Sequence, residues 1–177
     1  MPKQIDHDAH RQDIARKAAP LFSEHGYSGL GMRRIAEELG LSKSALYHYF
    51  PTKKSLFLAC TEVVMTSAQA GSGNPGAADA PDPAEALIGF AKRMEPDFAR
   101  EMSLLFDYLR GKTAEDIAAD PAMRLANDHL RRQVESLVGE KQAEAVLCLL
   151  MGTLLMRHFT GGQLEFAAIR PLLDGLR

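Results

Sequence analysis

The chain of 177 residues is 46% hydrophobic and 25% charged, enough for an ordinary buried core in one domain or in a small head joined to a larger body. No apolar run approaches the ~20 residues that cross a bilayer, and the opening MPKQIDHDAHRQD lacks the apolar stretch of a secretory signal. Cys60 and Cys148 have neither CxxC nor Cys/His ligand spacing and read as buried free thiols in a reducing cytoplasm. The net charge of −2 divides unevenly: residues 1–60 hold nine Lys/Arg against six Asp/Glu, whereas the remaining 117 hold twelve against seventeen. A mildly basic end on an acidic remainder suits phosphate contact through that end only.

Helical periodicity dominates, with no sustained two-residue alternation. The first helix is predicted from Asp8 to His25, with Ile14, Ala18, Leu21 and Phe22 as its apolar stripe, Pro20 as a bend and Gly26 as its stop. A short helix from Met32 to Leu39 follows, then Gly40-Leu41 and a second short helix opening at Ser42. Pro51 and Thr52 interrupt before a connecting helix, residues 53–70. The Gly/Pro/Ala-rich stretch 71–83 reads as a mobile connector. Beyond it the stripe Leu87, Ala91, Met94, Phe98, Met102, Leu105 and Leu109 predicts two stacked helices, or one long helix kinked at Pro96, ending at Gly111. Asp120-Pro121 is a cap-plus-first-turn pair for the next helix, closed by Gly139. Residues 142–159 are apolar on nearly every side, and after Gly161-Gly162 a last amphipathic helix is predicted from Leu164 to Leu176. The expected fold is all-α with about nine helices.

The segment MRRIAEELGLSKSALYHYFPTKKSLF, residues 32–57, has the pattern of a helix-turn-helix. Ile35, Ala36 and Leu39 face inward, Gly40 permits the tight turn, and Leu41 and Leu46 anchor the second helix. Ser42 caps it, leaving Lys43, Ser44, Ala45, Tyr47, His48 and Tyr49 on a short exposed face of the kind that enters a major groove. Gly26-Tyr27, Met32, Ile35-Ala36, Gly40, Ser42, Leu46-Tyr47, Tyr49-Phe50, Lys53 and Leu56 resemble, in order and spacing, the DNA-binding head of the TetR family. The likeness covers residues 10–60 and includes Ala18 and Leu21-Phe22 of the preceding helix.

That resemblance implies a three-helix DNA-binding domain over 1–52 and a dimerisation and ligand-sensing domain over 53–177. Tyr47 is expected to reach phosphate through its hydroxyl, and Lys53 to hold phosphate together with the N-terminal amides of its helix. Lys43, Ser44 and Ala45 occupy the base-reading face beside the Ser42 cap, His48 and Tyr49 lie at groove or phosphate positions, and Arg33 reaches an adjacent base or phosphate. Gly31 departs from the family pattern, which places Thr or Ser there; one phosphate contact is then missing.

The resemblance further implies a homodimer through residues about 142–176, with Gly152 allowing close helix approach, and a palindromic operator on double-stranded DNA. It also implies a repressor released by a small effector. Phe90, Met94, Phe98, Met102, Phe106, Met123, Met151, Met156 and Phe159 are candidate walls of an apolar or aromatic ligand pocket, although residues of this kind at helical spacing are also what plain core requires. Asp107, His129, Arg157 and His158 are possible polar anchors that read equally as surface or capping groups. An activator, or a regulator without an effector, fits the same head. A helical enzyme would need a nucleophile–base pair, a metal cluster or a phosphate loop, and the sequence offers none; a non-specific nucleoid protein is disfavoured by the acidic net charge. His7 and His10 have a metal-compatible spacing but fall in an expected frayed terminus, so neither a metal nor a cofactor is expected.

Overall fold

A computed structural model describes residues 7–71 and 82–175. Among the described residues there are nine α-helices and no strand: α1 (His7–His25), α2 (Met32–Glu38), α3 (Lys43–Tyr49), α4 (Lys53–Gly71), α5 (Pro83–Leu109), α6 (Ala114–Ala118), α7 (Pro121–Val138), α8 (Glu140–Phe159) and α9 (Arg170–Asp174), the last preceded by a 3-10 turn, Phe166–Ile169. No helix is long and apolar enough to cross a membrane among these residues. Of the predicted connector 71–83, residues 72–81 lie outside the described residues. The chain divides into two compact units, Met1–Gly71 with Glu101–Ala126, and Ser72–Arg100 with Asn127–Arg177. The first unit holds the helix-turn-helix together with α4 and residues 101–126.

The core of the first unit follows from the apolar stripes. Ile14, Ala15, Ala18 and Phe22 of α1 pack with Met32, Ile35 and Ala36 of α2, Leu46 of α3, Phe50, and Leu56, Ala59 and Cys60 of α4. The small residues Ala15, Ala18 and Ala59 are buried almost completely and let α1 and α4 approach closely. Burial pushes the Cys60 thiol up to about 12, so it stays protonated; Cys148, expected to be buried as well, is exposed on α8. An aromatic cluster extends this core: Tyr27 meets Tyr108 edge-on with ring centres 4.7 Å apart, and Phe57 lies 4.3 Å from Tyr108.

In the second unit Leu87, Ile88, Phe90, Ala91 and Phe98 of α5 are buried, as are Val134 of α7 and Val146, Leu150 and Leu154 of α8. α5 is one helix that continues through Pro96; the stripe buried on both sides of the proline offsets the lost backbone bond. α1 likewise continues through Pro20. The predicted helix 164–176 is mostly absent: only a 3-10 turn and five residues of α9 form. Pro171 sits in the first turn of α9, where proline is favoured; Leu176 lies outside the described residues. Arg170 ties this segment down through ion pairs to Asp82, Glu85 and Asp174.

The short helix α6, absent from the sequence reading, starts at a capping box in which Thr113 Oγ1 accepts from Asp116 N at 3.2 Å and Asp116 accepts from Thr113 N at 3.0 Å. Asp120, expected as a plain cap for α7, does much more. One carboxylate oxygen accepts from the backbone N of Ala122 at 3.0 Å. The other accepts from Tyr108 Oη at 2.8 Å and Lys112 Nζ at 2.8 Å, and pairs with Lys54 Nζ of α4 at 3.1 Å. Burial alone would push its pKa up, but these donors outweigh it and hold the carboxyl well below the usual range.

Asp120→Ala leaves two ammonium groups and a phenol around an empty place. It is expected to lower the unfolding free energy by about 3 kcal/mol, measured by urea melts at pH 7. Because the folded-state pKa is depressed, this stabilisation is complete above the ordinary carboxylate range and falls away as pH drops below about 4. Wild-type and variant melts that coincide at pH 7 would refute the assignment.

Candidate nucleic-acid interface

The turn between α2 and α3 is set by Gly40, whose φ of +66° lies in the left-handed region, and by Leu41 N donating to Ala36 O at 2.8 Å. Ser42 then caps α3: its backbone is extended and its Oγ accepts from Ala45 N at 3.1 Å. Leu46 and Phe50 are fully buried, which fixes the opposite face of α3 outward. On that face Lys43, Ser44, Tyr47 and His48 are exposed, with Ala45 and Tyr49 half-buried. Lys43 Nζ lies 5.7 Å from the centre of the Tyr47 ring, and the Ser44 and Ser42 hydroxyls are 3.0 Å apart. Lys43, Ser44, Tyr47 and His48 therefore share one short exposed helical face, with Ala45 and Tyr49 at its half-buried margin.

Two other candidates are already engaged. Arg33 is exposed but pairs with Glu37 one turn on, at 2.9 Å. Lys53 donates to the Tyr27 carbonyl at 2.9 Å and sits 4.3 Å over the Tyr27 ring. An ammonium has three donors, so Lys53 braces the loop after α1 and still has donors to spare. The start of α4 carries its own cap, with Ser55 N donating to Thr52 Oγ1 at 3.0 Å and Thr52 N to Ser55 Oγ at 3.2 Å. The loop after α1 is clasped from α5 as well: Asp107 accepts from Ser28 N at 2.6 Å. That backbone bond, the Ser28 side chain and Arg110 hold the Asp107 carboxyl below its usual pKa. Its role is structural, and no feature of the sequence pairs it with Ser28.

His7 and His10, expected in a frayed terminus, are instead ordered at the start of α1. Their rings pack on Tyr49 with centres 4.5 and 5.1 Å away, and His7 Nε2 is 3.1 Å from His48 Nε2. Among the described residues no group of three or more His, Cys, Asp or Glu is placed to hold a metal ion.

The candidate effector residues are scattered. Phe90 and Phe98 are buried and Met94 and Met151 half-buried in the second unit, whereas Met102 and Met123 belong to the first. Phe106 is 64% and Phe159 70% exposed, with Met156 also exposed, so none of these three walls an enclosed cavity in the single chain. A cleft of about 180 Å³ in the second unit takes in Phe98 with Glu95, Ala99, Leu154, Arg157, His158, Gly161 and Gly162. Its charges are mutually satisfied: Arg157 pairs with Glu95 at 2.7 Å, donates to the Leu164 carbonyl and lies 4.2 Å over the Phe166 ring. His129 is buried, not at the surface; desolvation and nearby Arg132 lower its pKa.

Residues 14–60 match the family model of bacterial regulatory proteins, tetR family. An HTH-type transcriptional repressor of Mycobacterium tuberculosis aligns with 98% of this chain and 97% of its own length at 29% identity. Residues 14–60 are thus similar to the head of the TetR family. The head of this chain is 44% identical over 64 residues to the HTH-type transcriptional regulator PksA of Bacillus subtilis, covering 36% of this chain and 31% of that protein. It is 47% identical over 49 residues to the transcriptional repressor AcnR of Corynebacterium diphtheriae, covering 28% and 26%. The match thus spans less than a third of those relatives' length. In fold, the chain is similar to the multidrug binding protein EbrR crystallised with proflavin (TM-score 0.66, 18% identity, 94% of this chain and 99% of that one). A TetR-family member of Streptomyces coelicolor superposes with a TM-score of 0.63 at 18% identity, covering 97% and 98%.

Gly31, the departure from the family pattern, precedes α2 with an extended backbone, no side-chain cap and nothing within 4 Å of a built Cβ. Gly31→Ser therefore fits without strain, adds a cap and stiffens the unfolded chain. It is expected to stabilise the protein by roughly 0.5–1 kcal/mol, and an unchanged or lower urea midpoint would contradict the capping argument.

Proposed function

We propose that the protein is a homodimeric TetR-family transcriptional regulator, acting in the cytoplasm, that places α3 in the major groove of a palindromic operator. The observation that carries this reading is the division of α3 itself: Leu46 is buried completely, while Lys43, Ser44, Tyr47 and His48 stand in solvent with the helix start capped by Ser42. On this reading Lys43, Ser44 and Ala45 face the base edges, and Tyr47, Lys53 and Arg33 hold phosphate. Homodimerisation through residues about 142–176 is supported by the apolar groups the single chain leaves uncovered, Met156 and Phe159 on α8 and Leu172 on α9. The open space around a Cβ built at Gly152 fits the same face. Repression is supported by the repressors among the relatives.

Release by an apolar or aromatic effector is the further part of this reading, with Phe90, Met94, Phe98 and Met151 as lining of the second unit. It is supported by the fold neighbour complexed with proflavin. The cleft of about 180 Å³ is smaller than the ~300–1,000 Å³ of ordinary ligand sites, so an effector must widen it. Binding only the widened form would shift the population and change DNA affinity.

Selection of duplexes from a random pool by the purified protein tests the DNA reading, with enrichment of a palindrome as the expected result and no enrichment as its refutation. On the selected operator, Tyr47→Ala and Lys53→Ala should weaken binding to all sequences alike and reduce the salt dependence, whereas Lys43→Ala should relax preference at one base pair by about 1–3 kcal/mol. Sedimentation tests the dimer: Phe159→Glu is expected to shift it to monomer while the far-ultraviolet spectrum stays helical.

A further inference from the structure

Residues 7–60 hold eight Lys and Arg side chains, and six of them are already engaged within the protein. Arg16 and Lys17 both pair with Asp13, Arg33 with Glu37 and Arg34 with Glu38, each along its own helix. Lys53 donates to the Tyr27 carbonyl, and Lys54 pairs with Asp120. The two that remain, Lys43 and Arg11, have neither a carboxylate nor a carbonyl partner among the described residues. Both lie instead over aromatic rings of α3 and its C-terminal cap. Lys43 Nζ is 5.7 Å from the centre of the Tyr47 ring, and the Arg11 guanidinium carbon is 4.8 Å from that of Phe50. Resting on the reading of α3 as the groove helix, we propose that Arg11 binds a backbone phosphate of DNA and is the contribution of α1 to the interface.

Placement supports this role. His7, His10 and Arg11 stand at i, i+3 and i+4 and so share one face of α1. The two imidazoles pack on Tyr49, and Arg11 packs on Phe50, the residue that caps the end of α3. That face of α1 therefore runs along the C-terminal end of α3, next to the exposed His48. A helix of about 10–12 Å diameter nearly fills a major groove about 12 Å wide. Groups flanking it are thereby brought to the phosphates of the groove walls. Contact with the Phe50 ring consumes none of the five N–H donors of a guanidinium. The ring also orders the long side chain beforehand, so less rotamer freedom is lost when a phosphate is held. Two parallel N–H groups of the fork match two phosphate oxygens.

Salt separates this role from that of a mere cover over Phe50. Each phosphate contact adds about 0.9 to the slope of log affinity against log salt, roughly a threefold loss between about 50 and 200 mM. Two neutral variants are read on the duplex selected by the wild type and on a random duplex of equal length. Arg11→Met keeps an apolar stem over Phe50, and Arg11→Gln keeps a polar one; if the first fails to fold, the second decides. Both should lower the slope by about one and weaken the two duplexes alike, by about three- to tenfold. Arg11→Lys should restore the wild-type slope. Arg16→Gln removes the same charge from a side chain that Asp13 already holds, and should leave the slope unchanged. Urea melts of each variant report the packing. An unchanged slope in folded Arg11→Gln overturns the proposal, and so does an equal fall in Arg16→Gln, which makes the effect one of net charge. A wild type that enriches no duplex removes the reading of α3 and this proposal together. A wild type with a palindromic operator whose slope does not depend on Arg11 removes this proposal alone.

Discussion

A helix of seven residues cannot persist in water on its own hydrogen bonds, because nucleation costs more than so few bonds return. α3 exists because Leu46, and Phe50 just beyond its end, are sunk in a core supplied by α1, α2 and α4, and because Ser42 satisfies its first turn. Everything proposed for the reading face follows from that dependence. The side chains that hold α3 and the side chains that face outward are different residues on opposite sides of two turns. The surface is thus presented rigidly without taking part in the packing that fixes it.

The same separation recurs around Asp120. A buried carboxylate is costly unless its charge and lone pairs are met, and here Tyr108, Lys112, Lys54 and the start of α7 meet them. The donors come from α4, the end of α5 and the following loop, so one anion gathers three stretches of chain in the first unit. Asp107 works alongside by closing the loop after α1 onto α5. Lys53 and Lys54, adjacent in sequence, thereby serve different neighbours: the first braces Tyr27 and the second reaches Asp120.

The head was legible in the sequence because its signals are local. The order of Gly40, Ser42 and Leu46 encodes turn, cap and anchor within seven residues, and each takes the predicted part. What could not be read was pairing across distance: Asp120 with Lys54, Asp107 with Ser28, and His7 with His48 leave no periodic trace. Two misses did have local signals. Thr113 with Asp116 announces the capping box of α6, and Pro171 favours a helix that starts beside it over one that runs on from Leu164. Cys148 was misplaced for a different reason: a helix apolar on nearly every side gives no indication of which side the single chain leaves open.

The outward face of α3 also bears on how such a protein diverges. Lys43 and Ser44 are exposed and lie outside the core of the first unit, so on the proposed reading exchanging them would change what is read with little effect on what is folded. On that reading a lineage could move to new target sites at these positions at little cost in stability, as duplicated copies acquire separate targets. His48 is the exception on that face. Bonded to a residue 41 positions earlier, it is not freely exchangeable, and a change there asks for a matching change at the start of α1.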